Sequence, residues 1–138
     1  MKDCIEFANE IRKCSFATVE NGCPKVRILS LWFADETGFY FQTDLLKEIP
    51  HQVEHNPEVE VCFFKQDAIL GRMLRISGRA EFVDDVKLKE RAMDERTHLE
   101  YFKLSARNPV LVILRIPHGK AYLWRMDTNL KPKRYIEF

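Results

Sequence analysis

The sequence between residues 15 and 43 contains three runs of β-branched and aromatic residues, and turn-forming residues separate them. Such runs favour strands, while Asn-Gly and Pro favour the tight turns that join strands into hairpins. The segment therefore predicts a three-stranded antiparallel meander near the beginning of the chain. The runs are SFATVE (15–20), KVRILSLWF (25–33) and FYFQT (39–43), and the turns are NGCP (21–24) and ADETG (34–38).

Four more runs have the composition of strands, which brings the expected number to about seven. One of them, PVLVILRI at 109–116, is almost continuously apolar, which is typical of a strand buried on both faces. We expect residues 119–126 to return antiparallel to it. Strands mostly in hairpin order predict a mainly β (α+β) protein with a closed or nearly closed antiparallel barrel, because closure removes exposed edges. The other two runs are 58–64 and 72–83.

Three segments carry apolar residues at helical spacing and are expected to be helices packed around the barrel. Asp3 is the expected N-cap of the first helix, and Asp84 or Asp85 is that of the third. Pro50 fits the second helix if it lies in the first turn, so the regular helix is expected to begin near Ile49. The three segments are residues 3–13, 46–55 and 86–102.

Length and charge limit the possible functions. The 138 residues suit a single domain spanning residues 1–138. With 22 basic and 21 acidic side chains the net charge is +1, so the chain supplies no basic field for a nucleic acid. The charged N-terminus does not fit a signal peptide and no apolar run has membrane-spanning length, which predicts a cytoplasmic protein with no membrane partner. The four cysteines, with no C-x-x-C pair, are expected to be reduced thiols.

The end of the third run combines a hydroxyl and an ammonium group where a strand passes into a helix. Thr43 ends the strand, and Lys47 lies near the start of the helix, whose free N–H groups and positive dipole end attract anions. Arg27, on the preceding strand, can offer a bidentate fork to the same anion. The three side chains predict a phosphate site. The alternative is an ordinary helix cap, a solvated lysine and a surface arginine, and the spacing alone leaves both interpretations open.

A second motif, HQVEH at 51–55, matches H-x-x-E-H, in which two histidines on one helix face can ligate zinc with Glu54 as the base. The helix is short, and His98 and His118 lie in unrelated contexts, so no third ligand is evident. Solvated helix residues are the favoured interpretation. The sequence also contains no G-x-S-x-G motif and no pattern that pairs a cysteine with a histidine for nucleophilic catalysis.

The meander, followed by HQVEHNPEVEVCFF (51–64) and MLRISGRAEFVDD (73–85), resembles the pyridoxamine 5′-phosphate oxidase-like family of FMN-binding split barrels. The ending AYLWRMDTNLKPKRYIEF (121–138) resembles that of its small bacterial and archaeal members. The resemblance covers residues 14–138 with the order of elements preserved. It implies a homodimeric, antiparallel split β-barrel with flanking helices that holds FMN at the subunit interface.

Carried over to this sequence, the resemblance assigns a set of residues to the cofactor. Arg27 and Lys47 would hold the FMN phosphate together with the Thr43 hydroxyl. The backbone of Ile28, Leu29 and Ser30 would run beside the isoalloxazine ring. Gln42, at the same strand end as Thr43, would also contact the cofactor, and Trp124 would lie close to the flavin and close the pocket across the dimer.

Two departures from the family pattern bear on the reaction. Members that oxidise pyridoxamine phosphate carry a Ser-Arg-Lys run where this chain has Lys47-Glu48-Ile49, and their C-terminal Arg-Leu segment has no counterpart here. The prediction is therefore an FMN-dependent oxidoreductase that acts on an unidentified small molecule, with no catalytic side chain assigned. The alternatives are a flavin-binding store or sensor without turnover and a haem-binding split-barrel protein. Within the enzyme class, pyridoxamine phosphate and nitroaromatic compounds stay open as substrates.

Overall fold

The computed structural model describes residues 1–66, 71–96 and 105–138. Within them the chain forms three α-helices, nine strands and one short 3-10 helix. In chain order the elements are α1 (Lys2–Ile11), β1 (Lys13–Glu20), β2 (Cys23–Asp35), β3 (Gly38–Asp44), α2 (Glu48–His55), β4 (Glu58–Gln66), β5 (Gly71–Arg79), β6 (Glu81–Phe82), α3 (Val86–Glu95), β7 (Leu111–Ile116), β8 (Gly119–Arg125), the 3-10 helix (Met126–Thr128) and β9 (Ile136–Glu137).

The described strands form one antiparallel sheet in the order β6-β7-β3-β2-β1-β4-β5-β8-β9. The predicted meander is present, since β1 pairs with β2 and β2 pairs with β3. The register between β2 and β3 shifts between Leu31 and Phe33, and such a bulge bends the strand that carries it. The mainly β, antiparallel class predicted from the sequence is confirmed.

Two short connections join strands that lie far apart in this order. Ala80 alone separates β5, the seventh strand of the order, from β6, the first. Pro117 and His118 alone separate β7, the second, from β8, the eighth. In a flat sheet, six strand spacings would amount to about 29 Å, whereas two intervening residues span at most about 11 Å. The sheet therefore has to curl, and it forms a half-barrel.

Apolar side chains lie on both faces of the part of the sheet that contains β7. Val112, Leu114 and Ile116 belong to the main core cluster. Leu111 and Ile113 point the other way, into a second cluster with Ala92 of α3. This double burial confirms the interpretation of the apolar run at 109–116. The main cluster also includes the inward residues of the other strands and of helices α1 and α2, among them Phe7, Phe16, Phe41, Val53, Phe63 and Leu74.

Three details of the sequence prediction are wrong. Asp3 is not the N-cap of α1, because the helix begins at Lys2 and Met1 is at the N-cap position without a side-chain capping bond. Residues 72–83 are not one strand, because Ala80 leaves the ladder and donates its N–H to the carbonyl of Pro57 at 2.8 Å. Strand β8 does not pair with β7, because β3 and β6 occupy the two edges of β7 and β8 pairs with β5 and β9.

The other helix boundaries follow their sequence signals. Helix α2 begins at Glu48, which places Pro50 in its first turn as expected. The Asp85 side chain caps α3 by accepting from the N–H groups of Lys87 and Leu88. The described part of α3 ends at Glu95, and residues 97–102 of the predicted helix lie outside the described residues. No helix in the described ranges is both long and apolar enough to span a bilayer.

Replacing Gly119 by alanine tests the close approach of β5 and β8. Gly119 faces Gly78 across the ladder, and a Cβ on Gly119 would lie 2.1 Å from the carbonyl oxygen of Ser77. We expect Gly119→Ala to lower the free energy of unfolding by about 1–3 kcal/mol, because the backbone has to move. Urea denaturation at fixed protein concentration measures the change.

Gly71→Ala is the control for this substitution. Its added methyl would meet the ring of Phe64, which is exposed and can turn away, so the loss there should be smaller. Equal losses at the two glycines would contradict the strand contact as the cause.

The cysteines should differ in reactivity. Burial raises the pKa of the Cys14 thiol to about 12, whereas Cys23 is exposed. Because the thiolate is the reactive form, iodoacetamide at mildly alkaline pH should alkylate Cys23 first and leave Cys14 unmodified until the protein is unfolded. Peptide mass spectrometry over a time course follows both sites. Modification of native Cys14 as fast as Cys23 would show that this part of the core is open.

Candidate functional site

Arg27 belongs to a hydrogen-bond network that joins β1 and β2 to helix α2. Its Nη1 donates to Oγ1 of Thr18 on β1, and its Nη2 donates to Oε1 of Gln52 on α2, both at 2.6 Å. The Thr18 hydroxyl donates to the same Gln52 oxygen at 2.6 Å. Thr18 and Gln52 are buried, with exposed fractions of 1% and 2%. The network therefore fixes α2 against the sheet and holds the guanidinium beside the helix.

The electrostatic surroundings of Arg27 leave its charge available to an anion. Burial lowers the pKa of its guanidinium, and the charges of Glu48 and Glu20 act in the opposite direction. An arginine side chain stays protonated under such shifts. Its partners in the network are neutral oxygens, and no carboxylate of the described residues forms an ion pair with it. Arg27 is thus a permanent positive charge next to α2, at the level of Gln52.

Thr43 lies near the end of β3, where the chain leaves the sheet toward α2. The residue is fully buried, and its Oγ1 has no hydrogen-bond partner in the described part of the chain. The Nε2 atom of Gln52 is buried and unpartnered in the same way. A buried polar atom without a partner costs roughly 1–3 kcal/mol, so native proteins usually supply it with a water or a ligand. Two such atoms on neighbouring elements mark this junction as a place for a polar ligand.

Lys47 is the N-cap residue of α2 and forms no side-chain capping bond. Its Nζ lies 3.2 Å from Oδ2 of Asp44, and the lysine side chain is 58% exposed. The Asp44 side chain is 20% exposed. An ion pair whose lysine is open to solvent contributes roughly 1 kcal/mol, so the ammonium can turn from Asp44 to an anion at modest cost. The negative charge of Asp44 nevertheless opposes an anion at the same position.

The other residues predicted to contact the cofactor on β2 and β3 do not all lie on one face of the sheet. Ile28 is 68% exposed and Ser30 is also exposed, whereas Leu29 packs against the main core. Gln42 is half-buried, and its Nε2 donates to the carbonyl of Thr43 at 3.1 Å. A planar group beside residues 28–30 would therefore lie on the face of β2 that carries Ile28 and Ser30.

Trp124 is not brought to this junction by the strand order of one chain. It lies on β8 opposite Met73, and β1, β4 and β5 separate β8 from β2 in the sheet. Its indole N–H donates to Oδ1 of Asn129 at 2.9 Å. The expectation that Trp124 completes the pocket of a partner subunit stays a prediction.

Sequence reasoning missed Thr18 and Gln52. A signal for Gln52 existed, because it lies three residues after Ile49 and next to Val53, on the apolar face of α2. A polar residue on such a face needs a buried partner. Thr18 carried no comparable signal, since its pairing with α2 depends on contacts distant in sequence.

The histidines of HQVEH make main-chain contacts. A ring nitrogen of His51 lies 3.0 Å from the carbonyl oxygen of Leu45, and one of His55 lies 2.7 Å from that of His51. Within residues 1–66, 71–96 and 105–138, no group of three or more potential metal ligands is present. The zinc interpretation gains no support from this geometry.

The sequence of the chain matches a known protein family and curated relatives. The family model for pyridoxamine 5′-phosphate oxidase matches residues 1–125. A pyridoxine/pyridoxamine 5′-phosphate oxidase of Salmonella paratyphi B is 39% identical over 66 residues, which cover 47% of this chain and 29% of that protein. The chain thus aligns with less than a third of the length of this curated relative.

Solved structures support the fold. A NimC/NimA family protein from Clostridium acetobutylicum matches 100% of this chain and 93% of its own, with a TM-score of 0.82 and 22% identity. An FAD-binding protein from Mesorhizobium loti matches 87% of this chain and 90% of its own, with a TM-score of 0.65 and 20% identity. The haem storage protein HutZ of Vibrio cholerae matches 84% of this chain and 87% of its own, with a TM-score of 0.65 and 14% identity.

At these identities the likeness concerns the fold alone, and it confirms the predicted split barrel. The family assignment depends on the sequence match over residues 1–125, which spans every strand from β1 to β8. The chain belongs to the pyridoxamine 5′-phosphate oxidase family.

Proposed function

We propose that the protein binds FMN noncovalently at the junction of β2, β3 and α2 and uses it as an oxidoreductase on a small molecule. The observation that carries the proposal is the buried, unpartnered Thr43 hydroxyl, which lies near the end of β3, four residues before Lys47 at the N-cap of α2. The permanent cation Arg27 lies on the neighbouring strand β2. In a chain of this family, a phosphate is the ligand that such donors suit.

The donors at the junction are sufficient for a phosphate monoester. Arg27 has five N–H donors, and its three Nη1 contacts include a long one of 3.5 Å to the Phe16 carbonyl. Lys47 can turn from Asp44, and the hydroxyl of Thr43 is free to donate. The absence of the family's Ser-Arg-Lys run leaves one lysine at the helix start, so we expect weaker retention than a full cation cluster would give.

A bound flavin would supply the hydride or electron chemistry. The chain's part is to hold the phosphate through Arg27, Thr43 and Lys47, to place the ring against residues 28–30 and to exclude water on that side. No side chain at the junction is assigned as an obligatory acid or base. A substrate that exchanges hydride directly with the ring needs none.

We further propose that the active form is a homodimer. The outward face of β2 carries Val26 and Ile28, which are 69% and 68% exposed, and Leu46 just before α2 is 87% exposed. Apolar side chains this exposed on neighbouring segments are typical of a surface that a partner covers. The same face borders the proposed ring site, so a second subunit would close the pocket, and Trp124 of the second subunit is the proposed closing residue.

Removing the two cations should abolish flavin retention. Each charge-assisted bond to the phosphate contributes about 1.5–3 kcal/mol, so Arg27→Ala with Lys47→Ala should purify without flavin. The ratio of flavin absorbance to protein absorbance measures retention. The matched control removes the same charges elsewhere through Arg79→Ala with Lys87→Ala, both exposed, and should keep the cofactor. Stoichiometric FMN in the Arg27 and Lys47 variant would show that the anchor lies elsewhere.

Thr43→Val separates cofactor binding from folding. Valine has nearly the shape of threonine, and the lost hydroxyl has no protein partner, so the stability of the flavin-free protein should stay equal or rise. The dissociation constant for FMN should increase about tenfold or more, because a donor to the phosphate is lost. Calorimetric titration gives the dissociation constant for FMN, and urea denaturation gives the free energy of unfolding of the flavin-free protein. A fall in stability with unchanged FMN affinity would assign Thr43 a structural role.

Spectra distinguish the rival functions. A flavin spectrum in freshly purified protein, with mass-spectrometric identification of FMN, is the expected result, whereas FAD or haem would favour the ligands named for the Mesorhizobium loti and Vibrio cholerae proteins. Reduction of the bound flavin by NADH or NADPH, followed by reoxidation with an added acceptor, separates an enzyme from a flavin store.

A further inference from the structure

A cavity of about 860 Å³ lies between the end of α1, the middle of β2 and the end of α3. Its apolar wall contains Leu31, Trp32 and Phe33, and Ser30 connects it to the stretch proposed to line the flavin ring. Its charged groups are four cations and one carboxylate, Glu95. The complete lining is Ile11, Arg12, Lys13, Ser30, Leu31, Trp32, Phe33, Arg91, Glu95 and Arg96.

Each oxygen of this carboxylate accepts a hydrogen bond from another lining residue. Its Oε1 accepts from Nε of Arg91 at 2.7 Å, and its Oε2 accepts from the indole N–H of Trp32 at 2.8 Å. The Arg91 guanidinium also lies 4.3 Å from the centre of the Phe33 ring. Arg91 and Glu95 therefore neutralise each other and fix the aromatic wall, while Arg12 acts on Glu95 through its charge and without a hydrogen bond.

Three cations in the lining are not held in an ion pair. Arg12, Lys13 and Arg96 form no ion pair with any carboxylate of the described residues. The Nε atom of Arg96 is buried without a hydrogen-bond partner among them. Arg12 and Arg96 line the same cavity, and burial together with the charge of Arg12 lowers the pKa of Arg96. Two like charges and a buried unpartnered donor are stabilised when an anion lies between them.

We propose that this cavity binds the anionic group of a small organic anion between Arg12 and Arg96, with the apolar part of the molecule against the Leu31–Phe33 wall. The two chemistries that fit are an arene carboxylate and an arene phosphate monoester. Because Ser30 belongs to both sites, a molecule held here would lie next to the proposed flavin ring, and its role as substrate rests on the proposed function. The anion pocket itself does not depend on flavin.

The test uses benzoate and phenyl phosphate as probes at constant ionic strength, titrated calorimetrically into the protein as purified. At least one probe should bind saturably, and Arg12→Gln and Arg96→Gln should each weaken it about tenfold or more. Arg96→Lys keeps the charge and should retain part of the affinity. Lys87→Gln removes the same charge from an exposed position on α3 outside the lining and should change the affinity less than about twofold.

Several outcomes would overturn the inference. The first is that neither probe binds saturably below about 10 mM. The second is that Lys87→Gln loses as much affinity for the probe as Arg12→Gln and Arg96→Gln, which would show nonspecific screening. Flavin content separates the two proposals. Arg96→Gln should keep its flavin while losing the probe, and the Arg27 and Lys47 variant should lose its flavin while keeping the probe. A wild-type protein that binds the probe but never FMN would leave the anion pocket in place and refute the flavin proposal.

Discussion

The closure of the sheet depends on two connections that are too short to cross it. One residue, Ala80, separates β5 from β6, and two residues, Pro117 and His118, separate β7 from β8. Because each connection joins opposite ends of the strand order, the sheet cannot lie flat. The glycine pair at Gly78 and Gly119 lets the strands next to these connections approach closely. The half-barrel shape of the sheet follows from this covalent constraint.

The curled sheet places two positively charged regions along β2. In the first, Arg27 reaches α2 through Thr18 and Gln52, and the neighbouring strand β3 carries the unpartnered hydroxyl of Thr43. In the second, three residues further along the strand, Ser30 borders the cavity that contains Arg12 and Arg96. A near-neutral chain has thus separated its charges locally, and this arrangement suits a cofactor and a substrate that each carry an anion. The net charge of +1 gave no sign of it.

Features that depend on neighbours along the chain could be predicted from the sequence. The meander, the double burial of β7, the Asp85 cap and the place of Pro50 all follow from local pattern. The pairing of β8 with β5 could not be predicted, because the residue pattern of a strand does not indicate which other strand it pairs with. Thr43 and Lys47 were proposed from their positions at element ends and Arg27 from its place on the preceding strand, and these assignments stay predictions. Thr18, Gln52 and the shared cavity of Arg12 and Arg96 needed the tertiary structure, since the residues involved are distant in sequence.

The location of β7 between β6 and β3 in the sheet order affects how the chain assembles. Its ladder with β3 pairs Phe39 with Ile116, so the C-terminal part of the chain must be available before β3 gains its second neighbour. During synthesis on the ribosome, the hairpins of β1, β2 and β3 can form early, but one edge of β3 stays open with Phe39 and Phe41 beside it. A nascent chain stalled before residue 111 would therefore present an aggregation-prone strand edge that the completed protein conceals.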